Sequence, residues 1–152
     1  MGNGASHRAE GCGTIDPEMT ECELTRIVLR DTAEEQIIFL REKAGQARVF
    51  SIVIGRPEAR AIDRAVRNQA PPRPLTHDLL ATVVEASGCV LDKVEITEVK
   101  ESTFFAVLHL RRDGEVFQVD ARPSDAIALA VRTSAKIFVA EEVLREVAEA
   151  PK

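Results

Sequence analysis

The sequence contains no tryptophan and no tyrosine, and its six phenylalanines fall mostly in strand-like runs. An aromatic platform for stacking bases, as used by single-strand-binding proteins, is therefore not expected. Of the adjacent Phe104 and Phe105, one must face away from the other in a strand. No run approaches the roughly 18 apolar residues that span a bilayer, so no membrane partner is expected. The first residues lack a basic segment followed by an apolar one, which argues against a secretion signal. Cysteine is also scarce: Cys12, Cys22 and Cys89 are odd in number and lack zinc-ligand spacing. Free thiols in a reducing cytoplasm are the expectation, with Cys12 and Cys22 in a polar leader.

What is present is the composition of a globular protein, 45% hydrophobic and 30% charged over 152 residues. That is enough chain for one core and too little for two domains of ordinary size. The net charge of −5 is unevenly spread. Residues 1–23 hold five acids (Glu10, Asp16, Glu18, Glu21, Glu23) against Arg8, which leaves the rest of the chain nearly neutral. Any grip on nucleic-acid phosphates must then come from local patches.

Residues 1–23 read as a flexible leader rich in small and polar residues, and residues 24–150 as the folded domain. The opening Met1–Ser6 matches the loose myristoylation pattern, which is short enough to arise by chance. Three β-like stretches follow, at 24–30, 36–42 and 48–54. Gly55 breaks the third, and Pro57 suits the first turn of a helix reaching about Asn68. The proline-rich connector 70–74 cannot be helical. Thr76 is expected to cap a second helix, with Leu79, Leu80, Val83 and Val84 as its buried stripe and Gly88 at its end. A second block of strands spans 92–99, 103–111 and 115–121, with a tight hairpin at Asp113-Gly114. Ser124 is expected to cap a third helix, followed by a short strand at 136–139 and a closing helix at 141–149. Strands in blocks predict a compact single α+β domain, two blocks of antiparallel-rich strands with helices packed against them.

Three constellations carry the chemistry. Two are Arg-Pro corners, Arg73-Pro74 and Arg122-Pro123, each leading into a helix with an aspartate in its first turn. At the first corner His77 beside Asp78 could bind metal, move a proton or contact phosphate, although Thr76 and Asp78 equally suit a simple helix start. At the second, Asp120 and Asp125 flank a strand-to-helix turn and could share a divalent cation. Arg122 could instead clamp a phosphate, or lock the turn by pairing with either aspartate. The third is a stripe of Arg56, Arg60, Arg64 and Arg67, spaced four, four and three residues apart along one helical face. Such a stripe suits phosphate tracking or an ordinary solvated face, with Ala61, Ile62, Ala65 and Val66 opposite it. Glu58 and Asp63 soften its field.

The segments Ile54-Gly55, Pro57-Glu58-Ala59, Arg73-Pro74-Leu75-Thr76-His77-Asp78-Leu79-Leu80 and Val119-Asp120-Ala121-Arg122-Pro123-Ser124-Asp125-Ala126 resemble, in order and separation, the signature blocks of the bifunctional nuclease domain. The resemblance covers roughly residues 24–145. It implies a compact α+β fold that self-associates, and cleavage of both DNA and RNA. The signature positions it carries over are Glu58, Arg73, Thr76, His77, Asp78, Asp120, Arg122, Ser124 and Asp125. The arginine-rich first helix and the leader depart from the family pattern.

The expectation is a nuclease of low sequence specificity on DNA and RNA, assisted by Mg²⁺ or Mn²⁺ held by Asp78, Asp120 and Asp125. His77 would act as general acid or base, with the three aspartates as its catalytic partners. Arg73, Arg122, Ser124 and the stripe Arg56, Arg60, Arg64 and Arg67 would bind substrate. Against it stands a non-enzymatic, oligomeric ligand- or nucleic-acid-binding regulatory module in which the Arg-Pro corners are struts. A weaker alternative binds nucleic acid through the arginine stripe alone. Buried, fully paired arginines would favour struts, and an open polar cleft would favour chemistry.

Overall fold

The computed structural model describes residues 18–149. Its elements are β1 (Met19–Val28), β2 (Glu35–Glu42), β3 (Val49–Gly55), α1 (Arg56–Val66), α2 (Thr76–Ala86), β4 (Val90–Lys100), β5 (Thr103–Arg112), β6 (Glu115–Ala121), α3 (Pro123–Thr133), β7 (Lys136–Ala140) and α4 (Glu141–Val147). The α+β expectation holds, and the two blocks of strands form one seven-stranded sheet in the order β3-β2-β1-β7-β4-β5-β6. Each block is an antiparallel meander. β7 joins them, antiparallel to β1 and parallel to β4. The sheet curls until Phe50 of β3 and Phe104 of β5 stack at 6.0 Å between ring centroids, while Phe105 points outward. Asp113 and Gly114 both have positive φ, as a two-residue hairpin turn of the expected type requires.

The inner face of the sheet holds Ile38, Leu40, Val94, Ile96 and Val139, all fully buried. Against it α1 contributes Ala59 and Ile62, and α3 contributes Ile127 and Leu129. Each fully buried aliphatic side chain of this kind stabilises the fold by about 1.5–3 kcal/mol. Among the described residues no helix is long and apolar enough to cross a membrane.

Three expectations change. The first strand starts at Met19, because Met19–Cys22 pair with Ala140–Ile137 of β7. Cys22 is thus a core residue, 3% exposed, its thiol pushed up to about 12 by burial and then by Glu42. The rest of the expected leader, with Cys12 and the Met1–Ser6 pattern, lies outside the described residues. Second, α2 buries none of its residues: Leu79 and Val83 are more than half exposed. Val66 of α1 is likewise half exposed. Third, neither Thr76 nor Ser124 is a cap. Leu75 and Arg122 occupy the cap positions in extended conformation, and the helices begin at Thr76 and Pro123.

Candidate active site

Three helix starts meet at one cleft. Each follows a sharp entry (Gly55, Leu75 and Arg122), and each carries an acid at its third helical position: Glu58, Asp78 and Asp125. A carboxylate there complements the positive end of the helix dipole. The cleft has a volume of about 620 Å³ and is lined by the first turns of α1, α2 and α3, among them Arg60, Arg64, His77, Arg122 and Asp125. Three arginines of the stripe (Arg56, Arg60 and Arg64) and the helix starts that follow the two Arg-Pro corners, separate in sequence, therefore share one wall system.

At its centre the His77 Nε2 lies 2.7 Å from Asp125 Oδ1. Arg122 grips the same carboxylate with two bonds, Nε to Oδ2 at 2.8 Å and Nη2 to Oδ1 at 3.1 Å. Its Nη2 also donates to Glu58 Oε1 at 3.1 Å. Burial pushes the Asp125 carboxyl up, but the bonds from Arg122 and His77 outweigh it and hold the group below its ordinary value. The same pairing with Asp125 raises the Arg122 guanidinium, against a smaller opposing effect of burial. An ionised Asp125 accepts only, so His77 donates from Nε2, and the neutral ring held in that tautomer has Nδ1 as its acceptor. Nη1 of Arg122, with two N–H groups, bonds to no described residue, and the side chain is 63% exposed. This arginine is paired yet open to the cleft.

Glu58 is set by Gly55. A Cβ on Gly55 would run into the Glu58 carboxylate, so glycine leaves the room in which that side chain lies back against the strand end while its Oε1 accepts from Arg122. A family model described as the bifunctional nuclease domain matches residues 38–152, through every element of this cleft. The chain belongs to the bifunctional nuclease domain family. It is 38% identical over 128 residues to an uncharacterised protein of Mycobacterium tuberculosis, covering 84% of this chain and 76% of that one. It is 30% identical over 114 residues to the protein named bifunctional nuclease 1 in Oryza sativa subsp. japonica, and 29% identical to the one so named in Arabidopsis thaliana. Those alignments take in 73% of this chain but only 34% and 35% of the plant proteins.

Within this bifunctional nuclease domain the sequence-derived candidates divide. His77, Asp125 and Arg122 come together, and Arg60 and Arg64 face the same cleft without an ion pair to any of the described residues. Arg56 lines the cleft too, but its Nη2 is committed to the carbonyls of Asp31 and Ala33 at 2.8 and 2.7 Å. Arg67 turns to Asp63 at 3.0 Å on the outside of α1. Arg73 is exposed and pairs with none of Asp78, Asp120 and Asp125. Ser124 is buried in the first turn of α3, 6% exposed, and does not line the cleft.

Asp78 and Asp120 leave the expected set for definite reasons. Asp78 accepts the Leu75 N–H at 2.8 Å and pairs with Arg132, which makes it a helix-start and ion-pair residue. Asp120 pairs across the sheet with Val107, while the next residue, Ala121, pairs with the fully buried Ala106. Alternation along the strand puts Ala121 on the helix-covered face and Asp120 on the opposite one. Among the described residues no three His, Cys, Asp or Glu groups gather as a metal site. The two carboxylates that do face each other, Glu58 and Asp125, share a guanidinium where a cation would sit. The residues do not fit the three-aspartate Mg²⁺ or Mn²⁺ site. Sequence reasoning undervalued Glu58, although its place three residues after Gly55 at a helix start was a usable signal.

Proposed function

We propose that this cleft is a phosphodiesterase site that cleaves DNA and RNA with little sequence preference. The observation that carries the reading is the His77–Asp125 pair, with an exposed arginine on the same carboxylate and two arginines lining the cleft that pair with no acid among the described residues. Arg60, Arg64 and the free edge of Arg122 would hold the scissile phosphate and stabilise the extra charge of its transition state. His77 Nδ1 would take the proton of the attacking water, or of a ribose 2′-hydroxyl in RNA. Asp125 would hold the ring in the correct tautomer and stabilise the imidazolium. The imidazolium would then return the proton to the departing oxygen. These steps use side chains alone.

The test is cleavage of labelled single- and double-stranded DNA and RNA with Mg²⁺, Mn²⁺ or chelator. The wild type should cleave, and His77→Ala should lose about 10²–10⁴-fold in rate while keeping its melting temperature. Cleavage that persists in His77→Ala would remove the site from this cleft. Tight, salt-sensitive binding without turnover would favour the regulatory module, a reading supported by Arg122 being bridged by two carboxylates.

Self-association through the outward face of α2 belongs to the same proposal. Leu75, Leu79 and Val83, four residues apart, are 43%, 56% and 53% exposed and form one apolar stripe. A second copy is the occupant we assign to it. Light scattering after gel filtration should show an oligomer that a Leu79→Lys, Val83→Glu variant reduces to monomer. A wild-type monomer would sink this part. A cytoplasmic setting accords with Cys22 and Cys89 being unpaired thiols.

A further inference from the structure

A second cavity of about 570 Å³ lies on the far side of Arg64, whose side chain borders both it and the His77 cleft. Its walls are Asn68 and Gln69 at the end of α1, the prolines of the connector, Thr82 of α2, and Arg132. The volume falls in the range of roughly 300–1,000 Å³ typical of small-ligand sites. The side-chain amides of Asn68 and Gln69 bond to no described residue, although both stand at its rim. Arg132 is held in place by Asp78, itself anchored by the Leu75 N–H, and is 38% exposed. This cavity uses the ion pair and the connector that the catalytic proposal leaves without a task.

We infer that the second cavity is a nucleotide subsite, which takes one unpaired base of a single strand whose backbone crosses Arg64 from the His77 cleft. The inference rests on the phosphodiesterase reading of that cleft. Three chemical matches support it. An amide offers a donor and an acceptor side by side, the pattern that base edges present. Arg64 lines both cavities, so a strand passing from one to the other would carry a phosphate past it, and its guanidinium plane can also stack on a base. The proline rings supply an apolar wall in a chain without Trp or Tyr. A base held in a duplex cannot enter such a concavity, so the subsite selects single strands, or ends and loops of folded ones.

The experiment measures binding of 5′-labelled oligonucleotides of two, three and five nucleotides by fluorescence anisotropy in a His77→Ala background. Cleavage of the same set by the wild-type catalytic centre is measured in parallel. Two variants alter only the second cavity. Thr82→Trp fills it from an exposed helix position, and Asn68→Gly with Gln69→Ala removes both amides. Glycine is chosen because Asn68 has a φ of 53°, which alanine would adopt under strain. The readout is the ratio of trinucleotide to dinucleotide affinity. It should be tenfold or more with the cavity intact and fall to near one in both variants. A five-nucleotide duplexed strand should show no gain over the dinucleotide.

If dinucleotides bind and are cleaved but the ratio is near one with the cavity intact, or unchanged in the variants, the subsite is overturned and the catalytic reading stands. If no oligonucleotide of any length binds or is cleaved, the phosphodiesterase reading fails and takes the subsite with it.

Discussion

Two arginines in this molecule do the same thing in different surroundings. Arg48 bridges Glu42 and Glu141, and Arg122 bridges Asp125 and Glu58. The first network ties β2, the entry to β3 and α4 together, and its central pair is nearly closed off: the Glu42 side chain is 4% exposed and Arg48 19%, with only Glu141 at 33% reaching solvent. In the second, Arg122 is 63% exposed and opens on a cleft of about 620 Å³. Pairing alone therefore does not separate a strut from a working group. Exposure does, because an ion pair that keeps a free donor toward solvent can exchange partners with a ligand at little cost.

The comparison breaks most sharply at the buried end. Arg48→Ala should cost about 2–4 kcal/mol in chemical or thermal unfolding, because it strips the guanidinium from the buried Glu42 carboxylate and leaves it only the backbone N–H of residue 48. A loss below about 1 kcal/mol would mean that Glu42 finds water or a new donor. Arg122→Ala should be the converse. Its stability should fall by no more than about 1 kcal/mol, and cleavage by roughly a hundredfold, as when one charge-stabilising donor is removed. Equal damage to stability in both variants would erase the distinction drawn between them.

How much of this was legible in the sequence depends on what a residue needs beyond its neighbours. Element boundaries were readable to within a residue at 103–111 and 115–121 because Asp113-Gly114 marks its own turn, and near 55 because Gly55-Arg56-Pro57 breaks a strand and opens a helix. His77, Asp125 and Arg122 were readable as candidates because both Arg-Pro corners carry an acid at the same helical position. Residues 19–23 were not, since their acidic, leader-like composition conceals strand pairing with β7, more than a hundred residues away. The facing of Asp120 depends on register, which local sequence does not contain. The periodicity of α2 was real, but periodicity reports that a stripe is apolar and not what covers it.

A finer cut uses the glycine beneath Glu58. Gly55→Ala introduces no backbone strain, since the native φ is −73°, so its effect must come through the displaced carboxylate. It should lower cleavage by about tenfold with little change in fold, an intermediate step on the path to Arg122→Ala. Adding Glu58→Gln should cost almost nothing further if both changes act through the Arg122 bond. Additive losses would mean that Glu58 serves the site in some other way.

The smallest effect is also the one that sharpens the contrast by sign. Glu42 is held below its ordinary value chiefly by its bond to Arg48, against burial. A carboxyl depressed in the folded state contributes stability that is fully present above its unfolded pKa near about 4.3, and loses it as pH falls toward the folded value. In Arg48→Ala the guanidinium is gone while burial remains, opposed only by the backbone N–H of residue 48, so the Glu42 carboxyl should rise from its depressed value. The deficit of this variant relative to wild type should therefore be largest at neutral pH and shrink as the medium is acidified through the carboxylate range. Asp125 is depressed as well, although burial opposes its bonds to Arg122 and His77. Arg122→Ala leaves that carboxyl partly open to solvent, 25% exposed, with His77 still bonded to it. Its stability deficit should thus stay small and nearly flat over the same pH range. Parallel pH titrations of unfolding for the two variants would decide the matter. Two converging curves would show that Arg122 is a buried strut after all, whereas one converging and one flat curve would show a strut at Arg48 and an exchangeable partner at Arg122.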